Sequence, residues 1–140
     1  MNILQTLNSK LKIETSESAA SSDAINRLKQ FSKIELPFDY CEIVSEMTEI
    51  EILVDNDRYF RIWSPDGCIE MNEAYQIQHY IPSSLAIGDD EGGSALIIMI
   101  GNKGSGLYKV DFGDLGFDDA EFISSSLRSL LVDGVGLEKI

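Results

Sequence analysis

The stretch LAIGDDEGGSALIIMI, residues 85–100, sets two aspartates, a glutamate and two adjacent glycines between short apolar runs. Three kinds of chemistry suit that composition: a calcium loop, a phosphate cradle, or no reaction at all and a tight turn between strands. An EF-hand loop needs oxygen ligands at alternate early positions and at its last, with glycine at its sixth. Counted from Asp89, the fifth position is Gly93 and the last is Ile100. Counted from Asp111, the third is Gly113 and the last is Phe122. Neither closes a coordination sphere, which leaves a loosely held cation at Asp89 and Asp90 as the only calcium alternative. A phosphate loop needs lysine and a hydroxyl residue carried from the loop onto a helix. GNKGSGLY puts Lys103 inside the turn and leads into an alternating apolar run, so a hairpin is the expected reading. Aspartate and glycine are also what a tight turn selects, because both tolerate its backbone and aspartate bonds to nearby amides.

Nucleophilic catalysis would have to use the single histidine, His79, which sits among Tyr75, Ile77 and Ile81 and reads as structural. One histidine and two separated cysteines, Cys41 and Cys68, do not supply a zinc site. Carboxylate pairs are abundant in a chain with 24 acidic residues, so no particular pair stands out as catalytic. The sequence therefore predicts a protein that is not an enzyme, with no catalytic residue, no metal site and no cofactor.

Charge is more informative. The net charge is −13, and residues 35–92 hold fourteen acidic and two basic side chains. Such a surface repels nucleic acid and anionic lipid and attracts basic partners. The plainer reading is that acidic surfaces keep proteins soluble. The isolated cysteines, the lack of a signal-like apolar core in MNILQTLNSKLKIE, and the absence of any run of about 18 apolar residues predict a cytoplasmic protein. A length of 140 residues fits one domain.

These residues must be positioned by the elements around them. The N-terminal residues read as a helical segment, ETSESAASSD as a loop, and residues 24–31 as a second helix capped by Ser22 or Asp23. Pro37 suits the first turn of a third helix, in which Tyr40, Ile43, Val44 and Met47 share a face. EIEILV and RYFRIW alternate and are joined by DND, a hairpin. Ser64 and Pro65 open a short helix whose buried face is Cys68, Met71 and Tyr75; beyond Tyr75 helix and strand fit equally. LAI, the apolar run ALIIMI (a strand buried on both faces) and LYKVDF follow as strands. Ala120, Ile123, Leu127, Leu130 and Leu131 repeat at helical spacing, with Asp118 or Asp119 at the start and Gly134 at the end. Segregated helices and hairpins predict a single α+β domain with a mixed or largely antiparallel sheet packed by N-terminal, middle and C-terminal helices.

In order and spacing, LPFDYCEIV, IWSP, NEAYQIQHYIPSSLAIGDDEGGSALIIMI and GLYKVDFGDL resemble the SUKH superfamily, the Smi/Knr-type proteins, over residues 23–131. Ile87 to Gly93 is the most specific part. Glu91 stands where the family often has glycine, and EMTEIE replaces a frequent Asn-Gly turn. The resemblance implies an α+β fold and a non-enzymatic protein-binding role. Bacterial members resemble immunity proteins that neutralise toxins, many of them nucleases; fungal members resemble regulators of cell-wall synthesis. The expected partner is thus a basic toxin domain, with an intracellular scaffold or regulatory module as the alternative, and with neither nucleic acid nor membrane as partner.

The expected contact surface is acidic. Asp39, Glu42 and Glu46 fall at i, i+3 and i+7 along the helix after Pro37, with no lysine or arginine in that helix. Glu35, Glu49 and Glu51 extend the region in sequence, and Asp89, Asp90 and Glu91 would join it in space. Trp63, at a strand end, reads either as core or as an exposed contact residue.

Overall fold

The structure is a computed structural model that describes residues 2–140. Seven strands form one sheet in sequence order, with every neighbouring pair antiparallel: β1 (Leu11–Glu17), β2 (Thr48–Val54), β3 (Arg58–Ile62), β4 (Ser84–Asp89), β5 (Ser94–Gly101), β6 (Gly104–Asp111) and β7 (Glu121–Ser124). Five helices complete a single α+β domain: α1 (Ser22–Phe31), α2 (Phe38–Val44), α3 (Pro65–Ala74), α4 (Ile77–Tyr80) and α5 (Leu127–Leu131). The α+β class and the antiparallel sheet agree with the sequence pattern. No helix among the described residues is long and apolar enough to cross a membrane.

Local chemistry explains most elements. In β2 the alternation buries Thr48, Ile50, Ile52 and Val54 and leaves the intervening side chains half-buried. Asp55 and Asn56 both take left-handed backbone (φ 53° and 54°), and Asp57 N–H closes the turn on the Val54 carbonyl at 3.0 Å. Ser64 caps α3 by accepting the Gly67 amide at 3.0 Å, and Pro65 occupies the first helical turn, where its missing N–H costs nothing. In α2, Tyr40, Ile43 and Val44 are fully buried. Helix α1 is capped one residue earlier than expected: Ser21 accepts the Ala24 amide at 3.1 Å, while Ser22 and Asp23 lie inside the helix. Pro37 is likewise the residue before α2 rather than part of it.

Two elements differ from the sequence pattern. The N-terminal segment is helical only as one 3-10 turn, Ile3–Gln5; from Leu11 it is β1, paired with β2, Leu11 opposite Val54 and Ile13 opposite Ile52. The last apolar repeat is split. Residues 121–124 form β7 against β6, with Tyr108 opposite Phe122, and only Leu127–Leu131 is α-helical, capped by Ser126 on the Ser129 amide at 3.0 Å. Asp118 and Asp119 sit in a separate 3-10 turn, Phe117–Asp119. Pairing with the open edge of β6 outweighs a helical spacing that three consecutive serines, 124–126, interrupt. The undecided stretch after Tyr75 is helix α4. Tyr75 itself is 40% exposed, and the place predicted for it on the inner face of α3 is taken by Asn72, which is fully buried.

β5 is flanked by β4 and β6, and Ala95, Leu96, Ile97 and Met99 are buried. The run is not buried throughout, however: Ile98 is half-buried and Ile100 is 72% exposed. β4 is buried from Ser84 to Gly88. A Cβ at Gly88 would collide with the Arg61 carbonyl, so glycine is what lets β3 approach β4 there.

Candidate functional site

The β4–β5 turn is held by its own aspartates. One oxygen of Asp89, Oδ1, accepts the Glu91 amide at 2.8 Å; the other, Oδ2, accepts the Trp63 indole N–H at 2.7 Å. Asp90 Oδ1 accepts both the Gly92 amide at 2.8 Å and the Ser94 amide at 2.9 Å. The sequence after β6 repeats the device: Asp111 Oδ1 accepts the Gly113 amide at 2.7 Å. A bond from Phe112 N–H to the Gly93 carbonyl, 3.0 Å, ties the two turns together. Aspartate in these turns replaces backbone acceptors that a short loop cannot provide. Among the described residues, no three His, Cys, Asp or Glu side chains converge as a metal-holding group.

Trp63 is 3% exposed, so its indole is core and offers no contact face; this corrects the contact reading. Its buried N–H needs an acceptor, and Asp89 is that acceptor.

The expected acidic stripe also turns inward, although α2 ends at Val44 and leaves Glu46 beyond the helix. Glu42 Oε2 accepts the Ile3 amide at 2.7 Å, and Glu46 Oε1 accepts the Asn2 side-chain amide at 3.1 Å. Asp39 Oδ2 accepts the Arg128 amide in the first turn of α5 at 3.1 Å. Glu42 and Asp39 thus satisfy free backbone amides in the first turns of short helical segments, where the helix dipole also favours negative charge. Of the three, only Glu46 is mostly exposed, so the stripe ties α2 to the N-terminal turn and α5 before it offers anything to a partner. Glu49 Oε2 accepts the Ser64 amide at 2.6 Å, and Glu51 pairs with Arg61 at 3.3 Å. Glu91 is brought beside Glu51, not beside α2.

That contact perturbs Glu91. Partial desolvation, then the hydrogen bond and charge of Glu51, hold its carboxyl above the ordinary glutamate range. An acid raised on folding favours the folded state when protonated, so this contribution fades as pH rises through the raised value. Glu91 also holds left-handed backbone, φ 55°. Glu91→Gly is therefore expected to stabilise the protein by about 0.5–1 kcal/mol at pH 7, because glycine takes this backbone freely and the repulsion goes. Glu91→Gln isolates the charge: its gain over the parent at pH 7 should shrink below about pH 4, measured by urea unfolding at both pH values. A Glu91→Gly protein no more stable than Glu91→Gln at either pH would show that the backbone is unstrained.

Two concave surfaces carry exposed rings and apolar side chains. One, about 470 Å³, is lined by Ile34, Leu36, Phe38, Ile98 and Ile100 among others, with Phe38 82% exposed. The other, about 520 Å³, lies between the α3–α4 junction and the loop after β6, lined by Tyr75, Gln76, Tyr80, Phe112, Asp114 and Asp119 among others. The sequence reading nominated none of the latter group. NEAYQIQHY and VDFGDL lie some thirty residues apart, and only the pairing of β4, β5 and β6 brings them together. His79 is exposed on α4, its ring edge-on to Tyr80 at 5.0 Å.

No family model matches this chain, and no curated protein matches its sequence.

Proposed function

We propose that the protein is a non-enzymatic protein-binding module, an immunity protein of the Smi/Knr type that binds and neutralises a basic toxin domain in the cytoplasm. One observation carries the reading. At the end of the sheet where the β4–β5 turn is bonded to the loop after β6, Asp111, Asp114, Asp118 and Asp119 are exposed and none forms an ion pair among the described residues. Four carboxylates within nine residues of sequence give this end of the sheet a negative field that a basic partner would neutralise. The same field opposes nucleic acid and anionic lipid. Support also comes from the in-order resemblance to the Smi/Knr-type proteins, in whose most specific stretch Asp89 and Asp90 here accept backbone amides and the Trp63 indole.

The test is capture of the partner from the native cell on tagged protein, followed by expression of the captured protein alone and together with this one. The captured protein should arrest growth alone and be silenced by co-expression. Association should slow by at least about tenfold between about 50 and 500 mM salt. A harmless partner bound with no salt dependence would replace immunity by the scaffold or regulatory reading.

A further inference from the structure

We propose that the pocket between the α3–α4 junction and the loop after β6 takes a guanidinium group, the side chain of an arginine on a protein partner. The proposal rests on the basic-partner reading and gives it a point of contact.

The pocket is built, not incidental. Helix α3 ends at Ala74; Tyr75 follows at φ −95°, and Gln76 takes left-handed backbone, φ 53°. That one strained residue redirects the chain into α4, so that Tyr75 and Tyr80 both line the same cavity. On the opposite side, Asp111 accepts the Gly113 amide with its side chain and the Asp114 amide, 3.0 Å, with its carbonyl. The tight turn sets Phe112 and Asp114 on the wall, and the 3-10 turn Phe117–Asp119 sets Asp119 beside them. Tyr75 and Phe112 stack with ring centroids 4.2 Å apart and planes 31° from parallel.

Its chemistry points to a cation. Tyr80 is 51% exposed, Tyr75 40%, and aromatic faces attract positive charge. Asp114 and Asp119 accept no side-chain or backbone hydrogen bond and form no ion pair among the described residues, in contrast to Asp89, Asp90 and Asp111, whose oxygens are used by the turns. No lysine, arginine or histidine lines the cavity. Anions are thus excluded, while a flat cation can stack on a ring and bond a carboxylate through two N–H groups. Guanidinium does both; an ammonium has neither the plane nor the fork. A volume of about 520 Å³ has room for an arginine head and its stem.

The probe is N-acetyl-arginine amide, titrated at low salt into the isotope-labelled full chain, with the uncharged citrulline analogue as control. Backbone resonances of Gln76, Tyr80, Gly113 and Asp114 should shift saturably with a Kd in the range of about 1–20 mM. Citrulline should leave them in place, and Asp114→Asn with Asp119→Asn should weaken the arginine probe at least about fivefold. Both aspartates are exposed, so this variant folds; unchanged shifts elsewhere check it. Equal response to citrulline, no saturation by about 100 mM, or shifts spread evenly over Glu46 and Glu91 would overturn the pocket. Partner capture separates the two readings. A captured basic protein indifferent to the double variant removes the pocket and leaves the function. A saturable pocket with no basic partner does the reverse.

Discussion

Replacing Asn72 by leucine is expected to lower the unfolding free energy by about 3–5 kcal/mol, and the melting temperature by about 10 °C or more. Asn72 is fully buried on α3, and its amide is saturated. Nδ2 donates to the Cys68 carbonyl at 2.7 Å and to the Ala86 carbonyl at 2.8 Å; Oδ1 accepts the Ala86 amide at 3.0 Å and the Gln78 side chain at 2.9 Å. Two donors and two lone pairs are all that an asparagine amide has. The need arises in the sheet. β3 accompanies β4 only at Asp89 and Gly88, with the Trp63 amide adding the Ile87 carbonyl at 2.9 Å. Next in line is Ala86, whose N–H and C=O receive their partners from Asn72 in place of a strand. Leucine is close in size and apolar, so packing survives, but the buried Ala86 groups are left unpaired at about 1–3 kcal/mol each. Amide exchange should show it directly: Ala86 should lose protection well beyond its neighbours. A loss under about 1 kcal/mol would mean that β4 is held by β5 and the helices alone.

Asn72 also marks a limit of sequence reading. Short-range features were legible because their causes are local. DND between two alternating runs forms the β2–β3 turn, and Ser64 with Pro65 opens α3. The edge strands were not. β1 offers Leu11 and Ile13 and then only polar residues, and it exists because Lys10 and its successors can bond to β2, starting with Asp55 N–H on the Lys10 carbonyl at 2.9 Å. β7 exists because β6 has an open edge. Neither condition is written in the segment itself. Periodicity assigns the inner face of α3 to apolar side chains, so it passes over Asn72, whose four bonds are visible only once α3 lies against β4.

Internal roles of the acidic side chains were illegible for a related reason. Acidic side chains were counted as surface charge, yet Glu42, Glu49 and Asp39 bond to the backbone amides of Ile3, Ser64 and Arg128. Every residue except proline has an amide, so such a partner leaves no trace in sequence. Lysine or arginine at helical spacing would have left one. The absence of cations from α2, read as a reason to expect a basic partner, is equally what three carboxylates need when their partners are N–H groups within the chain. Among the carboxylates with no such partner are those of Asp114 and Asp119, which line a cavity whose other wall becomes known only once the strands are paired.

The aspartate-rich turn gives the second large effect. Asp89→Ala is expected to cost about 2–4 kcal/mol. The change removes a charged acceptor from the Trp63 indole, 2.7 Å away in a residue that is 3% exposed, and with it the bond that fixes the Glu91 amide at 2.8 Å. An indole N–H is a donor only and has no other way to be satisfied without water entering beside it. Trp63 is the one tryptophan, so its emission reports on the site: the folded variant should emit further to the red than the parent, and urea unfolding should give the cost. Asp89→Asn distinguishes the two roles. Asparagine keeps one oxygen acceptor and turns the other position into a donor, so it can serve the indole or the Glu91 amide but not both. Its loss should fall between parent and alanine, about 1–2 kcal/mol, with emission close to the parent if the indole keeps the oxygen. If alanine costs under about 1 kcal/mol and leaves the emission unchanged, the turn does not depend on Asp89, and its carboxylate is free for a partner after all. The larger loss would give the charge of this turn to the fold, and leave the proposed basic partner to the carboxylates around Tyr75 and Tyr80.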